Sequence, residues 1–241
     1  MEVKMPEIGI ELRAERLFYN QKEVKPSVRK VGDMLGVLAD REFASKAGKE
    51  DRERIVYWMF RGLEAIGNVR YDITLVSSAL LGKELPKTVG HYHPMQGSQS
   101  YPEIYEVLEG EAHYLLQKQE SAEAFLIKAK KGDKVIVPPD YGHVTINPGK
   151  TPLLMANLVS DEFDSDYSDY AAMSGGSYYE MSGGKLVANR KYGERRLMLY
   201  EAKEFAKNFR ISKKLAKAPL LELAKKDIAL FGFLNNPALL E

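Results

Sequence analysis

Cysteine is absent from this 241-residue sequence. A disulfide framework is therefore excluded, and any bound metal must be held by nitrogen and oxygen atoms rather than by thiolates. Positive charge is not in excess either: the formal net charge is +1, which argues against a nucleic-acid partner because such proteins carry a basic surface. Long apolar runs are missing, so we expect no membrane partner, and residues 1–7 lack the apolar core of a signal peptide. We therefore expect a cytoplasmic protein.

Histidine is scarce, and its placement is informative. Of the 4 histidines, His91 and His93 are two positions apart, so on a strand their side chains would point to the same face. Glu103 opens a predicted strand, and His143 follows a short run that ends in a proline turn. Imidazole nitrogens and a carboxylate oxygen suit a first-row divalent metal, so these four residues form the predicted metal site. The remaining histidine, His113, is expected to be an ordinary strand residue.

Short apolar runs are frequent, and hydrophobic residues make up 44% of the sequence. Glycine and proline punctuate these runs, as expected for strands separated by turns. The run at 55–60 also fits a helix, but its β-branched and aromatic residues favour a strand buried on both faces. The predicted strands are residues 55–60, 71–76, 103–109, 112–118, 124–129, 134–137 and 153–159. Many short strands at such spacing predict a sandwich or barrel.

The N-terminal part of the chain lacks this pattern. Residues 1–34 are polar and irregular with short apolar pieces, and we expect an arm that packs on the barrel or on a partner subunit. Residues 38–46 predict a short helix that ends at Gly48.

The segments after the last predicted barrel strand are also distinct. Residues 161–174 are acidic and fit either a solvated loop or a lid, and residues 177–181 fit one strand of a hairpin. Residues 201–209 and 213–230 predict helices, with Pro219 as a start or a kink. We divide the chain into an N-terminal arm, a barrel and a C-terminal, partly helical extension that form one structural unit: residues 1–50, 51–190 and 191–241.

The spacing of these residues resembles the cupin double motif. The first half matches at His91, His93, Glu103 and Gly110, and the second half matches at Gly132, Pro138, His143 and Asn147. Asp140 stands where the motif usually has glycine. Nine residues, 94–102, separate His93 from Glu103 where the motif has three or four, and their turn-forming composition predicts a loop that leaves Glu103 on its strand. The resemblance implies a mainly β cupin fold, a double-stranded β-helix or jelly-roll barrel, with an N-terminal arm and a C-terminal helical tail.

A closer resemblance is to the cupin-type phosphoglucose isomerases of archaea. Residues 88–93 read T-V-G-H-Y-H and resemble that family's T-x-G-H-[FY]-H signature. Further matches are its E-x-Y, L-L-Q and P-P-x-x-x-H motifs and its upstream S-V-R and D-M segments, which fall at residues 103–105, 115–117, 138–143, 27–29 and 33–34. The resemblance covers about residues 27–170. Val159 and Ser165 depart from it, because they stand where the family has tyrosine and histidine.

This resemblance implies an isomerase of glucose 6-phosphate and fructose 6-phosphate, working in glycolysis or gluconeogenesis as a homodimer. It implies one divalent metal per chain, held by the predicted metal site; we expect iron, although manganese, nickel and zinc accept the same ligands. Thr74, Thr88 and Gly90 fall where the family binds the sugar phosphate. Both threonines can contact one phosphate only if the chain near Gly90 departs from a regular strand. Tyr105 matches an active-site tyrosine that binds substrate. Glu103 is the candidate proton shuttle of an enediol mechanism, and a metal-assisted hydride shift is the competing route.

Other functions fit the same metal ligands. A mannose 6-phosphate isomerase, a metal-dependent dioxygenase and a non-catalytic sugar-phosphate-binding protein remain open, since cupins host many functions. The dioxygenase does not need the threonine pair of Thr74 and Thr88. An assay with fructose 6-phosphate and mannose 6-phosphate separates the isomerases from each other and from a binding protein.

Overall fold

Two β-sheets form the walls of the central barrel in the computed structural model, which describes residues 1–240. Buried side chains from both sheets meet in one apolar cluster that includes Tyr57, Val107, Tyr114 and Ile127. The larger sheet has six strands, in the spatial order β13 (Lys134–Val137), β10 (Glu103–Glu109), β15 (Leu153–Ser160), β7 (Val69–Val76), β6 (Ile55–Ile66) and β5 (Ser27–Lys30). The smaller sheet has the order β14 (Gly142–Ile146), β11 (Glu111–Gln117), β12 (Glu123–Lys130) and β18 (Arg196–Glu201). The mainly β, cupin-type barrel is therefore confirmed.

All seven predicted strands are present, with ends that move by one or two residues in most cases. Strand β6 is the exception, because it continues for six residues beyond Phe60 to Ile66. A register shift between Phe60 and Glu64 and a positive φ of 65° at Gly62 show that the strand passes through a β-bulge there. A glycine just after residues 55–60 suggested that the strand ends there, but Gly62 instead permits the bulge.

The N-terminal residues are regular rather than irregular, so that prediction is wrong. They form a four-stranded antiparallel sheet of β1 (Glu2–Met5), β2 (Ile10–Arg13), β3 (Arg16–Tyr19) and β4 (Lys22–Val24). Each strand has only three or four residues and alternates polar with apolar side chains, so the composition reads as polar. The apolar face, including Ile10, Leu12 and Leu17, packs on the outer side of the larger barrel sheet, as expected of an arm that covers the barrel.

Three short helices follow: α1 (Val31–Met34), α2 (Arg41–Lys46) and α3 (Lys49–Glu53). Helix α2 confirms the second half of the predicted helix, and residues 35–37 form a 3-10 turn before it. Gly48 does not end α2, since Ala47 is its C-terminal cap; Gly48 instead precedes α3.

The C-terminal extension is less helical than predicted. Its helices are α5 (Ala202–Phe205), α6 (Ser212–Leu215) and α7 (Leu220–Lys226), followed by a 3-10 stretch (Ile228–Leu234). Pro219 precedes α7 and begins that helix. Buried apolar residues of this extension, including Leu220 and Phe231, join the cluster on the outer side of the larger sheet. The Leu220 N–H also donates to the Glu106 carboxylate on the barrel, at 2.8 Å.

The remaining elements lie outside the two barrel sheets, and three of them, which carry Tyr170, Tyr178 and Leu186, pack against the smaller sheet. They are β8 (Met95–Gln96), β9 (Gln99–Ser100), α4 (Ser168–Ala172), β16 (Tyr178–Glu180) and β17 (Leu186–Ala188). Strands β16 and β17 pair as the predicted hairpin. The division at residues 50 and 190 stays a prediction, although strand pairing crosses both positions through β5 and β18. No helix within residues 1–240 has the length and apolar character that a membrane crossing needs.

Candidate metal centre and substrate pocket

The four predicted metal ligands come together at one end of the barrel. Glu103 begins β10. His143 lies on β14, a strand that was not predicted because a proline turn comes directly before it. His91 pairs with His143 through backbone hydrogen bonds in both directions, at 3.3 and 3.1 Å. All four side chains offer a ligand atom, and these atoms lie within 4.8 Å of one another. The backbone pairing thus brings the two halves of the motif together.

The cluster has the dimensions and chemistry of a metal site. The Nε2 atoms of His91 and His93 are 3.1 Å apart, and Glu103 Oε2 is 3.4 Å from His93 Nε2 and 3.3 Å from His143 Nε2. Ligand atoms about 2.0–2.2 Å from one ion are separated by roughly these distances. Glu103 Oε2 is buried and makes no hydrogen bond of good geometry among residues 1–240. A divalent cation fits this otherwise unsatisfied carboxylate and the nitrogens around it.

Neighbouring groups orient the ligands. The Asn157 side chain donates to Glu103 Oε1 at 2.7 Å, which leaves Oε2 directed toward the histidines. His93 Nδ1 lies 2.8 Å from the carbonyl oxygen of Tyr101, and because a carbonyl only accepts, Nδ1 must carry the proton and Nε2 is left free to bind metal. The Tyr105 hydroxyl is 2.8 Å from His143 Nε2.

The protonation states also favour a metal. Burial, with the neighbouring histidines, lowers the pKa of His91 well below its usual range, and burial lowers the pKa of His143. Both rings are therefore neutral, as a metal ligand must be. Burial and the nearby Glu103 raise the pKa of Tyr105 well above 10, so its hydroxyl stays protonated.

The predicted substrate residues line a pocket that ends at this cluster. Thr74, Thr88, Gly90 and Tyr105 all face it. Gly90 has a φ of +89°, and a Cβ there would come within 2.5 Å of the Tyr170 ring, so glycine is needed at this position. The chain therefore departs from a regular strand near Gly90, as predicted. The Thr88 hydroxyl oxygen also accepts a hydrogen bond of 3.0 Å from the Thr145 N–H.

The insert between His93 and Glu103 folds into the small hairpin of β8 and β9. Asp140, which replaces the usual glycine, takes a left-handed conformation with a φ of 70°. It fastens the hairpin, because Asp140 Oδ1 accepts from the Ser100 N–H at 2.9 Å and the Asp140 N–H donates to Ser100 Oγ at 2.6 Å. The insert therefore leaves Glu103 on its strand, as predicted.

The acidic segment after β15 packs against the cluster rather than extending into solvent. The Phe163 ring stacks on Tyr101, with centroids 4.7 Å apart, and lies 4.6 Å from the His93 ring. The Tyr167 ring is 5.4 Å from that of His91. The segment thus covers one side of the metal cluster.

Sequence reasoning missed one wall of the pocket. It is formed by β6 and β7 and includes Tyr57, Arg61, Arg70 and Asp72. No sequence motif includes these residues. The only sequence signal that could have identified them is the alternation of side chains along β7, which places residues 70, 72 and 74 on one face. Val159 and Ser165, the two departures from the resemblance, line the same pocket.

Comparison with known proteins adds relatives over most of the chain. The family model described as glucose-6-phosphate isomerase (GPI) matches residues 28–196. The glucose-6-phosphate isomerase of Thermococcus litoralis is 32% identical over 168 residues, which are 69% of this chain and 86% of that protein. The glucose-6-phosphate isomerase of Thermococcus onnurineus is 28% identical over 194 residues, 80% of this chain and 99% of that protein. Among solved structures, a cupin-2 domain protein of Shewanella frigidimarina superposes on 42% of this chain and 78% of its own, with a TM-score of 0.30 and 14% identity.

Proposed function

Because this chain belongs to the glucose-6-phosphate isomerase family, we propose that its barrel pocket interconverts glucose 6-phosphate and fructose 6-phosphate. The chain is thus an aldose–ketose isomerase. One observation supports this proposal most strongly: three histidines and Glu103 form a buried group at the end of the pocket. Thr74 and Thr88 line the same pocket.

His91, His93, Glu103 and His143 hold one divalent metal per chain. When bound, such an ion polarises the sugar carbonyl and stabilises negative charge that develops on the sugar oxygens. Iron is the expected metal, and manganese, nickel and zinc accept the same three nitrogens and one oxygen.

The phosphate lies at the threonine end of the pocket. The hydroxyl of Thr88 already accepts a bond from Thr145, so its proton is left to donate to an anion. The Gly90 N–H donates no hydrogen bond among residues 1–240, and Gly90 lines the pocket, so this N–H is the second donor that we assign to the phosphate. Thr74 adds a hydroxyl from β7. Donors of this kind suit a phosphate group.

The residues allow two routes for the hydrogen that moves between C1 and C2. In the first, Glu103 takes the proton from one carbon and returns it to the other through an enediol. A carboxylate that also holds the metal is a poor base, which favours the second route, a direct hydride shift. In both, the protonated Tyr105 hydroxyl donates a hydrogen bond to a sugar oxygen. Incorporation of solvent deuterium into the product distinguishes the routes, since only the enediol exchanges with water.

Mannose 6-phosphate isomerisation is the alternative. It stays open because Val159 and Ser165, which line the pocket, depart from the tyrosine and histidine of the resemblance. We also propose a cytoplasmic homodimer. The N-terminal arm no longer argues for a dimer, because it packs on its own barrel. A monomeric mass by light scattering at micromolar concentration would reject the dimer.

The test of function is a coupled assay of purified, metal-loaded protein. Fructose 6-phosphate should be converted to glucose 6-phosphate, and mannose 6-phosphate should react more slowly. Turnover of mannose 6-phosphate alone would replace the proposed substrate with the alternative. Binding of both sugars without turnover of either would identify a sugar-phosphate-binding protein.

A further inference from the structure

An arginine lies beside the metal cluster, on the same sheet as Glu103. Arg70 on β7 pairs with Val159 on β15, and Val159 pairs with Glu103 on β10. The three residues form one row across the larger sheet, and all three line the pocket. Arg70 and Glu103 are therefore separated only by the short side chain of Val159. A tyrosine at this position, as in the resemblance, would place a ring in that space.

The Arg70 side chain is held in place from one edge. Its Nε donates to Asp72 Oδ2 at 2.9 Å, and Asp72 Oδ1 accepts from the Gly62 N–H at 2.7 Å. Asp72, which joins them, is a buried residue with 5% exposure. The Nη1 and Nη2 atoms of Arg70 make no hydrogen bond to residues 1–240. The guanidinium group is thus fixed, and its remaining donors are available to a ligand.

The charge of Arg70 is maintained by its surroundings. Burial works to lower its pKa, but Asp72, Glu103 and Asp164 raise it above the ordinary value. The shared row with Val159 places Arg70 close enough to Glu103 for its charge to act on the metal cluster. A fixed positive charge beside the predicted metal is placed to stabilise negative charge on a bound sugar.

We propose that Arg70 binds the reacting end of the substrate, donating hydrogen bonds from Nη1 and Nη2 to the C1 and C2 oxygens where negative charge develops. This assignment rests on the proposed isomerase function. The position along β7 supports it: Arg70 is level with Glu103, whereas Thr74 is four residues, about 13 Å, further along the strand. A sugar phosphate with its phosphate at Thr74 directs C1 and C2 toward Arg70. Asp72 is a positioning residue, because it acts through Arg70.

The test compares Arg70→Met and Arg70→Lys with a matched control, Arg13→Met. Arg13 is also a strand arginine bonded to a carboxylate two residues away, Glu11, but it is exposed and does not line the pocket. Two probes are titrated into each metal-loaded protein by calorimetry: 6-phosphogluconate, with a carboxylate at C1, and glucitol 6-phosphate, with a neutral C1 hydroxyl. Metal content and thermal melting are measured in parallel.

Arg70→Met should weaken 6-phosphogluconate binding at least about 30-fold and glucitol 6-phosphate binding less than about threefold, with metal content unchanged. A bond to a charged group is worth roughly 1.5–3 kcal/mol, which corresponds to such a difference. The kcat for fructose 6-phosphate should fall about 100-fold with little change in KM, as for loss of an oxyanion donor. Arg70→Lys should be intermediate, and Arg13→Met should match the wild type.

Two results would overturn the proposal. Equal losses for both probes would place Arg70 at the phosphate, and unchanged binding of both would make it structural. The binding experiment is separate from the test of the isomerase itself. If the wild type turns over no sugar phosphate yet prefers 6-phosphogluconate through Arg70, the reaction is wrong while the binding assignment stands.

Discussion

The two walls of the pocket differ in how they are built. The metal wall is made of His91, His93, Glu103 and His143, whose ligand atoms converge within 4.8 Å. The arginine wall is made of Arg61, Arg70, Asp72 and Thr74 on β6 and β7, where one guanidinium is anchored and its outer donors are left open. The first wall is preorganised for a cation and the second for an anion or a developing negative charge.

This difference shows how the pocket can both bind and activate a sugar phosphate. A metal cluster alone would suit many cupin reactions, because the metal ligands do not select the rest of the substrate. The arginine wall and the threonine end supply donors near that cluster. In the proposed function, substrate specificity depends on these donors, of which no motif marks Arg70. The predictions below perturb the two walls separately.

The largest effect is expected from removing a metal ligand. His143→Ala or His91→Ala should abolish most bound metal and lower activity by roughly 1000-fold or more, since the ion supplies several kcal/mol of charge stabilisation. Elemental analysis and the coupled assay measure both effects. His113→Ala is the control, because its ring bonds Glu180 at 2.7 Å, outside the cluster. Full metal content in both ligand variants would reject the assignment of the metal wall.

A smaller effect is expected from the residue that orients Glu103. Asn157→Leu removes the donor to Glu103 Oε1 and should weaken metal affinity by about 10–100-fold, as such supporting bonds usually do. Competition with a fluorescent chelator measures the affinity. Met155→Leu changes the next pocket-facing position of β15 at similar volume and should leave affinity unchanged. If the two variants behave alike, the Asn157 bond does not support the metal.

The phosphate end gives an effect of about tenfold. Thr88→Val should leave metal content unchanged and raise the KM for fructose 6-phosphate about tenfold, because a bond to a charged group is worth roughly 1.5–3 kcal/mol. It should also reduce stability, since the Thr145 N–H loses its acceptor. Thr88→Ser keeps the hydroxyl and is the control for that loss. An unchanged KM in Thr88→Val would make Thr88 structural.

The smallest effect concerns the metal-free protein. The pKa of His91 and of His143 is lowered in the fold, so the unfolded chain binds more protons as the pH falls below its ordinary histidine range. Stability of the metal-free protein should therefore rise with pH between about 5 and 7, by at most roughly 1.4 kcal/mol per pH unit for each histidine. Urea unfolding in the presence of a chelator measures the slope. A slope of the opposite sign would show that these rings are protonated in the fold.

The sequence predicted the metal wall because its residues belong to two motifs with characteristic spacing. Strand periodicity likewise located seven barrel strands, since apolar alternation and turn residues are local signals. Strand β18 was missed because its alternation lies at the start of a segment whose composition favours helices. The N-terminal strands were missed because each is too short to show a period.

Apart from Thr74, the residues of the arginine wall could not be predicted, for a different reason. Arg70 and Glu103 are 33 positions apart, and only the register of β7, β15 and β10 brings them into one row. The anchor of Arg70 depends on the bulge at Gly62, which turns a backbone N–H toward Asp72. Register and bulges are set by tertiary packing, and a single sequence carries no direct record of them.

The most direct test of the central claim is a reconstitution titration. The metal-depleted protein receives increasing amounts of ferrous or manganous ion under anaerobic conditions, and isomerisation of fructose 6-phosphate is measured at each step. Activity should rise linearly and saturate at one equivalent per chain, while His91→Ala should stay inactive throughout. Full activity of the metal-depleted protein, or equal activation of His91→Ala, would contradict a metal-dependent isomerase centred on these four ligands.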